Sequence, residues 1–388
     1  MSVPPRGACG LSATRLQLAR WATRLQFLLF GFIVGVWGVH IPSVKAQYAL
    51  DEGALSLVLW ALATGSVLCL TQAARIVAGL GARVAALTAS VLMCASLAAA
   101  LVSDVFAALV GTVLVFGAAC ALFDVAINAE GSQLEAASGK KVMSGFHGMF
   151  SLGGMLGAAA GALALRAQVP PPLQLASAAA FAAALAVAAS AGMLARDGRS
   201  DAAEPRWRVP RGVLAQLGLL ASVALMAEGA MVDWSVLYLQ QEMAASPALA
   251  ALGFASFSGA MAAARFGGDG LRSRIEGRRL LVGSGLVAAG AMTLLLAARD
   301  PWIALFALAG VGAGLANVVP ILFSAASRVP DVAPAEGIAA VSSLGYLGMV
   351  AGPLLIGGIA EASSLGVGLG AVVLAALVLA AGARRLTP

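Results

Sequence analysis

Five ionisable side chains of this 388-residue chain stand inside long apolar runs: Asp124, Glu130, His147, Glu228 and Asp233. At the centre of a bilayer such a group costs about 2.5–3.5 kcal/mol on insertion scales, so its presence there calls for a chemical reason. Asp124 and Asn128 are one helical turn apart and share a face. His147 lies in the next apolar run. If the two runs fold back through a short loop at about 131–142, His147 comes level with residues 126–127 and the three side chains can meet. A carboxylate favours the imidazolium form of a neighbouring histidine and burial opposes it, so such a pair can exchange a proton near neutral pH. The plainer alternative is a static hydrogen bond fastening two helices. Glu130 reads as a solvated helix end.

Glu228 and Asp233 share one run but not one face, because five residues turn a helix by about 500° and leave the two acids roughly 140° apart. Glu228 is the stronger proton-carrying carboxylate, being nearer the middle of its run. Trp37 and Trp234 offer two indoles, each with one N–H donor, as walls for a sugar or planar solute. Interfacial anchoring is their competing role. His40, one turn after Trp37, reads as a helix-end histidine near such a site. Cys9, Cys69, Cys94 and Cys120 have no metal-ligand spacing. Gly310, Gly312 and Gly314 lack the strand and lysine of a nucleotide loop.

What must position these groups follows from composition. Hydrophobic residues make up 61% and charged residues 11% of the chain, and mean hydropathy is +0.94. Soluble domains hold about a quarter charged residues. These values exclude a soluble enzyme and describe an all-α polytopic membrane protein. Twelve spans are predicted, at about 25–44, 54–74, 84–103, 105–129, 143–165, 173–195, 213–239, 248–267, 280–298, 302–326, 337–360 and 364–383. With both termini in the cytoplasm, every lysine and arginine except Lys45, Arg166 and Arg299 falls on the cytoplasmic side. The net charge of +6 is therefore a topology signal, and no nucleic-acid partner is expected.

The polar stretch 196–211 divides the spans six and six. The resulting organisation is a cytoplasmic tail at 1–24, a six-helix bundle at 25–195, a linker at 196–211, a second bundle at 212–384 and a tail at 385–388. Short matches recur about 190 residues apart: Ala73-Ala74-Arg75 with Ala263-Ala264-Arg265, Asn128 with Asn317, Ser151-Leu152-Gly153 with Ser343-Leu344-Gly345, and Trp37 with Trp234. They fall in equivalent spans and point to a duplicated six-helix unit. Asn317 thereby joins Asn128 as a candidate for solute contact.

The segment Arg265-Phe-Gly-Gly-Asp269-Gly-Leu-Arg-Ser-Arg-Ile-Glu-Gly-Arg278-Arg279 resembles the signature loop of the major facilitator superfamily. The first copy, Arg75-Ile-Val-Ala-Gly79-Leu-Gly81-Ala-Arg83, keeps the glycines and arginines and lacks the acidic residue. Three further segments resemble the YbjJ-like branch of bacterial transporters: Gly35-Val-Trp37-Gly-Val-His40-Ile-Pro42, Asp124-Val-Ala-Ile-Asn128-Ala-Glu130 with Phe146-His147-Gly148, and Glu228-Gly-Ala-Met-Val-Asp233-Trp234. The superfamily resemblance implies two pseudo-symmetric six-helix bundles that rock about a midplane site, with Arg265, Asp269, Arg278 and Arg279 as a gate.

It also implies a secondary active transporter of the bacterial inner membrane, not an enzyme, acting as a monomer on a small solute. No cofactor is expected, and with no ATP-binding motif the driving force is an ion gradient, protons first. Glu228, Asp124, His147 and Asp233 are the proton-coupling candidates. Trp37, His40, Asn128, Trp234 and Asn317 are the solute-cavity candidates. A sugar-like or polar metabolite is favoured by the Asp124–Asn128–His147 group. Drug or metabolite efflux and a non-transporting sensor or scaffold are the alternatives.

Overall fold

A computed structural model describes residues 12–139, 142–194, 211–332 and 334–386, apart from the side chains of Asp269, Pro334 and Ala335. Most of the expected linker, the extreme tails, and Lys140 and Lys141 lie outside the described residues. The described chain is helical throughout: α1 (Ala13–Gln47), α2 (Glu52–Leu80), α3 (Ala82–Ala99), α4 (Phe106–Ser138), α5 (Met143–Arg166), α6 (Pro171–Ser190), α7 (Val213–Glu242), α8 (Pro247–Arg272), α9 (Gly277–Ala297), α10 (Pro301–Leu315), α11 (Val318–Ala326), α12 (Pro334–Ala362) and α13 (Leu365–Arg384). Among the described residues twelve spans are long and apolar enough to cross a membrane, with α10 and α11 together forming the tenth.

Side-chain caps mark several starts. Asp51 Oδ1 accepts from Ala54 N at 2.7 Å ahead of α2, and Asp300 Oδ1 accepts from Trp302 N at 2.7 Å ahead of α10, where Pro301 supplies the first helical φ. Several helices outrun their expected lengths. α1 begins at Ala13, not near residue 25, and α4 continues to Ser138, not 129.

The packing repeats. In the first half α1 packs on α5, α2 on α4, α3 on α4 and α6, and α1 on α6. In the second half α7 packs on α12, α8 on α10, α9 on α10 and α13, and α7 on α13. Each pairing of spans has its counterpart six spans later, as a duplicated unit requires. Without a water-driven hydrophobic effect between helices, close approach of small residues holds such pairs together. At the α1–α5 contact a Cβ on Gly31 would lie 1.8 Å from Phe150 O, and one on Gly153 would lie 1.9 Å from Leu28 O.

The halves meet through α5 with α8, α2 with α12 and α1 with α7. Chain direction places the α1–α7 and α2–α12 contacts beside the α1–α2 turn, away from the arginine-rich side: Gly38 faces Val232 O, and Gly53 faces the Glu361 carboxylate. There Glu52 ion-pairs with Lys45 of its own half and accepts from Gln241 Nε2 of the other at 3.1 Å. On the arginine-rich side α4 does not pack against α10 or α11. The face beside the α1–α2 turn is thus closed, while on the basic face the halves stay joined along α5 and α8, where Ser144 Oγ donates to Arg265 O at 3.4 Å, and α4 stands apart from α10 and α11.

Candidate functional site

Arg265 is the centre of the site. It lies on α8, only 7% exposed, and its guanidinium is claimed from three directions. Nη2 pairs with Glu228 Oε1 of α7 at 3.1 Å. Nη1 donates to Ser151 Oγ of α5 at 2.7 Å, across the boundary between halves. Nε donates to the carbonyl of Ala316 at 3.2 Å.

That carbonyl is free for a local reason. Residue 320 would ordinarily donate its backbone N–H to residue 316, but it is proline and has none. The tenth span breaks there, α10 ending at Leu315 and α11 starting at Val318. The freed Ala316 oxygen turns to Arg265. Asn317, at the break, reaches back through Nδ2 to Ala264 O at 3.1 Å and so ties the break to the residue before Arg265. A Cβ on Gly268 would lie 2.2 Å from Asn317 Oδ1, so the glycine makes room for that contact. Asn317 therefore holds backbone, whereas Asn128, its repeat counterpart, holds Asp124. The arginine counterparts differ as well: Arg75 is exposed and Arg265 is buried.

A buried ion pair is sustained only when its remaining donors and acceptors are satisfied. Here Ser151 and Ala316 do that for Arg265. Losing the charge on Glu228 would leave an unbalanced cation held by neutral groups.

Asp124 and Asn128 share a face of α4, with Asn128 Nδ2 donating to Asp124 Oδ1 and to its backbone oxygen, both at 2.9 Å. Both are half-buried, and Tyr346 of α12 lies near Asp124. His147 does not join them. Its ring stands edge-on to Phe27 with centroids 5.3 Å apart, and Arg265 is the charge near it. The expected meeting fails because α4 runs two turns further than predicted. Folding the hairpin about its true turn sets His147 level with about residue 134, some 9 Å from Asn128 along the axis. α1 also packs on both α4 and α5, while α4 and α5 barely touch.

Glu130 is likewise not a solvated end. It is fully buried, and Oε1 accepts from Leu194 N at 2.6 Å, with Arg15 and Arg83 nearby. His40 is also buried rather than at a wet helix end, because α1 continues to Gln47. Its Nδ1 lies 3.2 Å from Ser43 Oγ, and the Gln174 side chain of α6 lies beside the ring.

Trp37 and Trp234 are buried, at 3% and 0% exposure, so neither ring borders open space in this conformation. Trp37 packs on Phe116 of α4 with centroids 5.4 Å apart. Trp234 reaches Gly357 of α12 within the closed face. Neither indole N–H has a hydrogen-bond partner among the described residues. Asp233 is half-buried on α7 and also unpartnered among them.

Of the gate candidates, Arg265 sits within the bundle and not in a loop. Arg278 and Arg279 are exposed and pair with Glu276 of their own loop, at 3.7 and 3.5 Å. The side chain of Asp269 lies outside the described residues. The sequence marks Arg265 as a gate residue by its place at the head of the signature-like segment, but not its pairing with Glu228 and Ser151. Pro320 was the available signal, since it marks the break that supplies the third acceptor.

Residues 25–353 match the family model of the Major Facilitator Superfamily. An uncharacterized MFS-type transporter of Yersinia pestis is 35% identical over 367 residues, covering 94% of this chain and 95% of its own. Among solved structures, the nucleoside transporter NupG superposes with a TM-score of 0.75 at 14% identity, over 95% of this chain and 99% of that one. A D-xylose–proton symporter does so with a TM-score of 0.75 at 15% identity, over 94% and 97%.

Proposed function

The chain belongs to the Major Facilitator Superfamily, and on that premise we propose that it is a proton-coupled transporter of a small sugar-like or polar metabolite. One observation carries the reading: Arg265 is held at once by the Glu228 carboxylate in its own half and by Ser151 in the other. A proton on Glu228 removes the charge that balances Arg265. The grip of Arg265 on the first half then changes, and with it the balance between the face-open states. The solute is placed against Asp124 and Asn128 on the parted side of α4, with Tyr346 opposite. Asp124, His147 and Asp233 remain further candidates for carrying the proton. Arg278, Arg279 and Asp269 are proposed as a gate for the state in which the basic side closes.

The D-xylose–proton symporter and the nucleoside transporter share this fold, and their names support a hydroxylated solute and a proton gradient. The reading places the protein as a monomer in a bacterial inner membrane, with both termini cytoplasmic and no cofactor beyond that gradient.

The test is solute-dependent proton flux in proteoliposomes holding a trapped pH dye. Pooled sugars, nucleosides, organic acids, amino acids and cationic drugs are added in turn. A pH change triggered by the sugar or nucleoside pool is expected. Vesicles that bind a solute yet show no proton movement would overturn the coupling, and a response confined to cationic drugs would overturn the solute class.

A further inference from the structure

The basic-side ends of α9 and α13 carry charge that the site around Arg265 does not use. Arg278 and Arg279 stand in the first turn of α9, Arg384 closes α13, and the three line one cleft with Val282. Their one anionic partner among the described residues is Glu276, which reaches Arg278 and Arg279 at 3.7 and 3.5 Å. Exposed pairs of this length hold weakly. One carboxylate against three guanidinium groups leaves the cleft net positive. Glu276 also makes no side-chain cap, so the first-turn N–H groups of α9 add their partial positive charge.

Exposed apolar side chains follow the arginines along both helices. α9 and α13 pack against each other, and both are peripheral helices of the second half. Leu286 and Val287 on α9 and Leu374, Leu377 and Val378 on α13 are exposed. At 1.5 Å per residue Leu286 lies about 12 Å along α9 from Arg278, and Leu377 about 10 Å along α13 from Arg384. The two apolar stretches therefore begin at about one depth, some two turns beyond the arginines. In a span of this composition that depth is acyl chain, and the arginines lie at headgroup level.

We propose that this cleft binds an anionic phospholipid of the leaflet on the arginine-rich side. The three positive side chains attract the net negative headgroup, and the acyl chains lie along α9 and α13. A free phosphate would use the arginines alone, whereas a lipid also uses the exposed apolar side chains on the same two helices, which is why the lipid is the assigned occupant. The proposal is independent of what the transporter carries.

Native mass spectrometry of the full chain, with equimolar phosphatidylglycerol and phosphatidylcholine of identical acyl chains, tests it. The protein is expected to retain phosphatidylglycerol at least threefold over phosphatidylcholine. R278A/R279A/R384A should lose most of that preference, R278K/R279K/R384K should keep most of it, and R24A/R328A, at other basic-side positions, should keep all of it. Should the triple alanine variant fail to fold, R384A, at an exposed helix end, is expected to show a smaller loss of the same sign. No preference in the parent protein overturns the proposal. So does a preference that survives both R384A and the triple alanine change in folded protein. Displacement of the lipid by 10 mM inorganic phosphate would mark a free-anion site and overturn the lipid assignment.

Discussion

Arg265 Nη1 lies 2.7 Å from Ser151 Oγ, and this hydrogen bond joins the two halves of the molecule beside the ion pair of Arg265 with Glu228. An ion pair within one half and a contact between the halves therefore share one side chain. Ser151 itself is 3.3 Å from the backbone oxygen of His147, so the other half receives the arginine on a hydroxyl anchored to its own helix.

Ser151→Ala should weaken the hold between halves without touching the charge pair. A hydrogen bond to a charged group contributes about 1.5–3 kcal/mol, so the distribution between conformations should move by about tenfold or more. Distances between spin labels on α4 and α11, measured with and without the substitution, read this directly. An unchanged distribution would show that Arg265 is held by Glu228 and Ala316 alone.

Glu228→Gln and Arg265→Gln should each destabilise the protein more than the pair changed together. Removing one partner of this partly buried pair leaves an uncompensated charge or dipole, at less than the about 3–5 kcal/mol of a fully buried pair, whereas two neutral amides can bond each other. Thermal unfolding of the two single variants and the double variant in detergent gives the cycle. Solute binding is expected to survive Glu228→Gln while solute-dependent proton movement is lost. Coupled transport unchanged in Glu228→Gln would remove the carboxylate from the mechanism.

Much of this architecture was legible in the residues. The spans follow from apolar run lengths, and the repeat follows from matches such as Ser151 with Ser343, because both are properties of the chain alone. The Asp124–Asn128 contact was legible as well, since a four-residue spacing within one helix fixes it. The depth of His147 depends on where α4 ends, and the helix runs on through Gly131 and Ser132, which read as a stop, to Ser138. Arg265 reads as a gate residue at the end of its span, and its inward turn to Glu228 and Ser151 is not legible, because orientation rules count arginines without asking which of them turn inward. Glu130 was misread for the converse reason: its partner, the backbone of Leu194, is 64 residues distant and leaves no mark in local sequence.

Pro320→Ala should act on Arg265 from a distance. The new N–H at residue 320 can claim the Ala316 carbonyl and close the gap between α10 and α11, depriving Arg265 Nε of its acceptor at 3.2 Å. Helix propensity alone would make this change stabilising. The expectation is therefore a protein at least as stable as the parent, by thermal unfolding, with proton-coupled flux reduced several-fold. A gain in stability with full coupling would show that the Ala316 contact is incidental.

Closure of the opposite face rests on a missing side chain. A Cβ on Gly357 of α12 would lie 1.5 Å from Ser56 Oγ and 2.7 Å from Ser56 Cβ on α2, with the Trp234 ring 3.2 Å away. The Ser56 hydroxyl is bonded to its own helix at Glu52 O, 2.7 Å distant, and the residue is 3% exposed, so the neighbour has little freedom to yield. Both contacts cross or flank the boundary between halves, so Gly357→Leu should block the closed face while leaving each bundle able to fold. The variant is expected to stay open on that face, to bind solute and to transport none. With the native cysteines replaced and Ser56→Cys introduced, a membrane-impermeant maleimide added from that face should label the Gly357→Leu protein at least tenfold faster than its parent. Equal labelling, with transport intact, would mean that α2 and α12 can part locally without opening the path.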